Sequence, residues 1–209
     1  MIIGKTRNNL DFQTKDFGYI NKQKYYYISH FSRECLLKCN IRSLPVSLNA
    51  IVKHFNIKTI TFSSLQNLGI KQYETIMIDN QGFSEKTLEE KYYIFYDDSL
   101  PITIQRFTVA HEIGHILLEH FERNPLSREK EANMFAARLL MPMAILKECK
   151  VKNEEEIQSL CFVSLQAATY RYHRLQEIMP REKFYTDKNE LELKLQFNTF
   201  INQYLKEKK

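Results

Sequence analysis

The stretch Arg106-Phe-Thr-Val-Ala-His111-Glu112-Ile-Gly-His115-Ile-Leu-Leu-Glu-His120 decides how the rest of the chain is read. It holds His-Glu-x-x-His inside an apolar run that reads as a helix. His111 and His115 stand at i and i+4, so a helix puts both imidazoles on one face, one turn apart. That spacing lets two ring nitrogens reach one Zn²⁺ at about 2.0–2.1 Å. Glu112 lies about 100° round the helix from His111, beside the metal rather than on it, where a general base for a water belongs. Phe107, Val109, Ile113, Ile116 and Leu117 supply a buried back. Gly114 places no side chain beside the metal-facing residues, at a cost of about 1 kcal/mol in helix propensity. The competing reading is a buried amphipathic helix with two incidental histidines, and the flanking pattern and a downstream carboxylate count against it.

Two histidines do not make a stable catalytic zinc site, which takes three protein ligands and a water. The third ligand is sought shortly downstream. Glu131, in Glu131-Ala-Asn-Met-Phe-Ala136, lies on a helix after a turn at Asn124-Pro125, and an antiparallel return brings it over the motif helix. Ala132 and Ala136 permit close helix approach, and Phe135, Leu139 and Leu140 read as core. Glu129 is the nearest rival, about 200° away on the same helix. Glu119 and Glu122 share the motif helix and point away from the metal. His120 is five residues beyond His115 and so off the metal face, behind the ligands or at the surface. His30 and His54 carry no spacing argument, and His173 reads as a surface residue that could line a cleft.

Working outward, 209 residues suffice for one domain with a sizeable core, or one domain with extensions. With 44% hydrophobic and 26% charged residues, the chain falls among ordinary soluble globular proteins. A net charge of +5 permits only weak attraction to nucleic acid or acidic partners, and the lysines are scattered rather than blocked. Cys35, Cys39, Cys149 and Cys161 form no Cys-x-x-Cys, and they read as reduced packing thiols rather than a metal site. The start lacks a secretory apolar core, and no apolar run reaches the ~18 residues of a membrane span. A cytoplasmic, reducing location is the default expectation, with no membrane partner.

Along the chain, residues 1–34 read as a polar, aromatic extension with a β-like run at Tyr25-Tyr-Tyr-Ile28. A helix follows Ser47. Strands are expected at Ile57–Phe62, Tyr73–Asp79 and Tyr92–Tyr96, with a turn at Asn80-Gln-Gly82-Phe and an exposed charged segment over 84–91. The motif helix is expected from about Thr103, which can cap it, and the next from Ser127 to Leu140. Asn153 and Ser164 can cap two further helices, and residues 181–209 read as a helical appendage. The expected fold is α+β: a small three-stranded sheet packed against a helical bundle, with a mostly helical C-terminal part. The expected organisation is an N-terminal extension (1–39), a catalytic domain (40–178) and a C-terminal appendage (179–209).

Arg106-Phe-Thr-x-Ala-His-Glu-x-Gly-His and Glu131-Ala-Asn-x-Phe-Ala-Ala-x-Leu-Leu-Met-Pro142, taken together, make the chain resemble the ImmA/IrrE family of metallo-endopeptidases. The likeness extends to Leu44-Pro-Val-Ser-Leu and Val163-Ser-Leu-Gln-Ala-Ala, covering roughly residues 40–178. The resemblance implies zinc held by His111, His115 and Glu131, with Glu112 as the catalytic acid/base. It implies a substrate class as well: a helix-turn-helix transcriptional repressor of a phage, mobile element or stress operon. Mn²⁺ or Fe²⁺ could replace zinc on such ligands. A second electrophile is expected from Tyr170, Arg171 or His173. Two rival readings stand beside the hydrolase. One is a zinc-stabilised regulator or toxin-like partner that binds a repressor without cleaving it. The other is a DNA-binding regulator using Arg171, His173 and Arg174, for which a single basic helix is weak evidence.

Overall fold

The computed structural model describes residues 2–7, 22–120, 125–178 and 188–208. The chain divides into two compact units, Met1–Tyr19 with Leu48–Ala136 and Ile20–Ser47 with Ala137–Lys209.

The first unit is built on a sheet of β1 (Ile2–Arg7), β2 (Ile57–Thr61), β3 (Asn80–Lys86) and β4 (Tyr92–Tyr96), in the order β1-β3-β4-β2. β2 runs parallel to β4, β3 runs antiparallel to β4, and β1 adds antiparallel to the free edge of β3. Side chains alternate across β3. Phe83 points to one face, where it stacks on Phe95 at 4.7 Å and meets Phe62 and Leu65. Ser84 and the position of Gly82 point to the other face, which is covered by α5 (Ile102–Leu117), the fifth α-helix among the described residues. Gly82 is required there: a Cβ on it would stand 2.5 Å from Thr108 Cγ2 and 2.8 Å from the Phe95 carbonyl oxygen.

The α+β class is as expected, and β2 and β4 lie where their alternation and aromatic content placed them. The strand expected at Tyr73–Asp79 is instead a 3-10 turn, Lys71–Tyr73, leading into a short helix, Glu74–Asp79. Tyr73, Ile76 and Met77 recur at i, i+3 and i+4, a helical stripe that packs on the aromatic cluster. The Asn80 side chain donates to the Ile76 carbonyl at 2.7 Å and closes that helix. The strand begins at Asn80, where a turn was expected, and Ser84, expected to be exposed, is fully buried.

The second unit is helical. Its first helix, Lys22–Lys38, contains the Tyr25–Ile28 run that looked β-like. Arg138 lies over the Tyr25 ring at 4.4 Å and donates from Nε to Ser29 Oγ at 2.8 Å, which explains why helix wins over local β-propensity there. Asn153 caps the helix Glu154–Cys161, accepting from the Glu156 amide at 2.9 Å, and Ser164 Oγ accepts from the Ala167 amide at 3.3 Å, both as read from sequence. The C-terminal stretch forms two helices, Lys188–Gln196 and Asn198–Glu207, and its expected start at 181 lies outside the described residues, as do positions 8–21 of the expected N-terminal extension. None of the four cysteines is in a disulfide. Among the described residues no helix is long and apolar enough to cross a membrane.

Candidate metal centre

α5 opens after Pro101, without a side-chain cap from Thr103, and is buried from Phe107 to Ile116. Its apolar residues seat it between the sheet and helix α6 (Pro125–Leu140). Gly114 sets the spacing of the two helices. A Cβ there would stand 3.1 Å from Phe135 Cδ1 and 3.3 Å from Ala132 Cα, so the backbones touch at this point. Ala132 therefore marks the face of α6 that looks at the motif helix.

His111 and His115 are buried, and their Nε2 atoms lie 2.9 Å apart. The carboxylate that joins them belongs to Glu129, with Oε2 at 3.2 Å from His111 Nε2 and Oε1 at 3.3 Å from His115 Nε2. Among the described residues His111, His115 and Glu129 form the one group able to hold a metal ion. This corrects the expectation for Glu131. On α6, Glu129 lies three residues before Ala132 and so shares its face, whereas Glu131 is turned about 100° away by the helical period. Glu131 meets other partners: its Oε2 is 3.3 Å from His120 Nε2, and its Oε1 accepts from Ser127 Oγ at 2.7 Å. His120 is buried rather than superficial, with Nδ1 at 3.0 Å from His115 Nδ1.

The donor set fits a divalent cation. Ligand atoms at about 2.0–2.1 Å from a tetrahedral zinc stand roughly 3.3–3.4 Å from each other. The two ring nitrogens, 2.9 Å apart, and the Glu129 oxygens, one 3.2 Å from His111 and the other 3.3 Å from His115, come close to that spacing. His111 Nδ1 is 2.8 Å from Asn133 Oδ1, an acceptor, so the ring proton belongs on Nδ1 and the Nε2 lone pair faces the cluster. Lone pairs so close repel one another unless a cation lies among them. The same crowding shows in proton affinity. Burial disfavours a charged His111, yet the Glu129 hydrogen bond and the nearby Glu112 and Glu129 charges raise its pKa overall. Burial works against the Glu129 charge too, yet hydrogen bonds from the two histidines hold it far below the usual carboxylate range. His120 is pushed down to about 4, by burial first and then by His115.

Glu112 is fully buried beside the cluster, and Ser84 Oγ donates to its Oε2 at 2.7 Å. The carboxylate is thus held from the β3 side of α5, off the ligand triangle. Ser84 and Asn133 went unread in the sequence, since neither spacing nor composition marks a lone polar residue that reaches a site from a strand or a second helix. Glu129 had a readable signal: Ala132, identified as a close-approach residue, puts Glu129 on the facing side. Tyr170, Arg171 and His173 belong to the second unit. Arg171 is buried there and holds carbonyls at the end of α6, with Nε at 2.7 Å from Met141 O and Nη2 at 3.2 Å from Ala137 O. His173 is exposed.

A family model described as the IrrE N-terminal-like domain, Peptidase_M78, matches residues 53–173. The chain belongs to this family. The match makes it a metallopeptidase-family member, and the IrrE N-terminal-like region runs from the end of the helix Leu48–His54 into the helix Leu165–Ile178, so it contains every residue of the cluster. β1 and the last two helices lie beyond the matched IrrE N-terminal-like residues. Comparison with curated proteins returns no match.

Proposed function

We propose that this protein is a zinc-dependent endopeptidase whose substrate is a helix-turn-helix transcriptional repressor, and that it works in the cytoplasm. The observation that carries the hydrolytic part is the placement of Glu112: a buried carboxylate, oriented by Ser84, one residue from a His111–His115–Glu129 cluster. The substrate class rests on the resemblance of the central motifs alone.

His111, His115 and Glu129 would hold the cation, leaving a position open for solvent and substrate. Bound there, a divalent cation lowers the pKa of water and polarises a carbonyl. Glu112 takes the proton from the attacking water and later delivers it to the leaving amine. Ser84 keeps the carboxylate aimed by donating to its Oε2. Asn133 holds the tautomer and the ring plane of His111. Burial of Glu112, at 0% exposure, keeps bulk water from competing for that proton.

The test is hydrolysis of purified helix-turn-helix repressors by zinc-loaded protein, by chelated protein and by Glu112→Gln. The reading predicts cleavage by the first only, with zinc bound normally by Glu112→Gln. Repressor binding without cleavage by the zinc-loaded wild type would instead support a non-catalytic regulator.

A further inference from the structure

We propose that His120 and Glu131 form a positioning relay that fixes the tautomer and orientation of His115, so that Glu131 serves the metal site through two rings rather than as a ligand. This rests on the reading of His115 as a ligand. The contacts run in one line: Ser127 Oγ to Glu131 Oε1 at 2.7 Å, Glu131 Oε2 to His120 Nε2 at 3.3 Å, and His120 Nδ1 to His115 Nδ1 at 3.0 Å.

The direction of each hydrogen bond follows from what each group can do. A carboxylate only accepts, so the proton between Glu131 and His120 sits on His120 Nε2. A neutral imidazole carries one proton, which leaves His120 Nδ1 as an acceptor. His115 must then donate from Nδ1, and its Nε2 lone pair is left facing His111 and Glu129. With no acceptor at His120 Nδ1, the His115 proton would be free to occupy Nε2 and block the metal-facing lone pair. Asn133 gives His111 the same constraint in one step; His115 gets it in two. Arg128 Nη1 donates to the His120 carbonyl at 2.7 Å and holds the backbone from which this ring projects. The chemistry also explains why a carboxylate two positions beyond Glu129 is largely covered, at 14% side-chain exposure, although it faces no metal.

The test compares His120→Phe, Glu131→Leu and Glu131→Gln with wild type, and uses Glu129→Gln as the ligand-loss reference. The readouts are Zn²⁺ affinity by chelator competition, the visible spectrum of the Co²⁺ form, and the ring nitrogen-15 shifts of His115 in the metal-free protein. Partners behind a metal ligand contribute about 10–100-fold in affinity. His120→Phe is expected to weaken Zn²⁺ binding within that range and to shift His115 toward the Nε2-protonated form. Glu131→Leu should do the same more weakly, and Glu131→Gln, which keeps an acceptor, should stay near wild type. Each should keep the wild-type Co²⁺ spectrum, whereas Glu129→Gln should lose it. If His120→Phe does not fold, as judged by thermal unfolding of the metal-free protein, the contrast between Glu131→Leu and Glu131→Gln decides. An unchanged affinity and unchanged His115 shifts in the folded variants would overturn the relay. So would loss of the Co²⁺ spectrum in Glu131→Gln, which would make Glu131 a ligand. A wild type that binds no metal would instead remove the hydrolase reading itself.

Discussion

Gly82→Ala is a single-methyl probe of the layer that holds the Glu112 carboxylate. The added Cβ would stand 2.5 Å from Thr108 Cγ2 and 2.8 Å from the Phe95 carbonyl oxygen. Carbon contacts settle at about 3.5–4.0 Å, so the sheet and α5 must part by roughly 1 Å. The Thr108 methyl lies on the α5 side and sets that parting, whereas the Phe95 oxygen is backbone of the neighbouring strand and has no rotamer to change. Overpacking of this kind costs about 1–3 kcal/mol, offset by at most about 1 kcal/mol from the stiffer unfolded chain. The same parting would carry the 2.7 Å contact of Ser84 with Glu112 beyond hydrogen-bonding reach, so hydrolysis should fall along with stability. Urea unfolding of Gly82→Ala, Thr108→Ala and the double variant measures this directly. The double variant should be less destabilised than the sum of the singles by about 1 kcal/mol, because the side-chain clash is shared and the backbone clash is not. A Gly82→Ala midpoint matching wild type, or strict additivity, would refute the account of how α5 is seated.

Three further outcomes follow from the same geometry. Ser84→Ala should leave zinc affinity unchanged while lowering turnover about tenfold or more, since about 1.4 kcal/mol of lost alignment at Glu112 suffices; metal titration beside a hydrolysis assay checks both. Zinc at a hundredfold excess over its dissociation constant should stabilise the wild type by about 2.7 kcal/mol, removable with chelator, and Glu129→Gln should show no such gain in thermal unfolding. Tyr25 opposes its own burial through the Arg138 charge and the Arg174 hydrogen bond, and its hydroxyl is lowered to about 8. The fold therefore favours the ionised form, so this contribution is complete above the unfolded value near 10, is lost as the pH falls through about 8, and should be absent in Tyr25→Phe when stability is compared across that window.

The central helix was legible because its chemistry is periodic. Two histidines at i and i+4, a carboxylate next to one of them and an apolar back specify a face before any partner is known. The capping residues Asn153 and Ser164 were legible for the same local reason. What failed was the part that depends on neighbours. Tyr73–Asp79 alternates enough to look like a strand, but the ring cluster of Phe83 and Phe95 selects its helical stripe instead. Asn80–Phe83 looked like a turn because Asn and Gly are turn residues, yet Gly82 is there to admit Thr108. Glu131 and Glu129 differ by about 200° on one helix, and only the contact between Gly114 and Ala132 decides which of them meets the histidines.

Anomalous diffraction at the zinc edge from crystals of the zinc-loaded protein bears most directly on the whole account. The expected result is one zinc bonded to His111 Nε2, His115 Nε2 and a Glu129 oxygen, with a non-protein oxygen completing the shell and Glu112 within reach of it. A zinc bonded to Glu131 in place of Glu129, or closed off by four protein ligands, would contradict it.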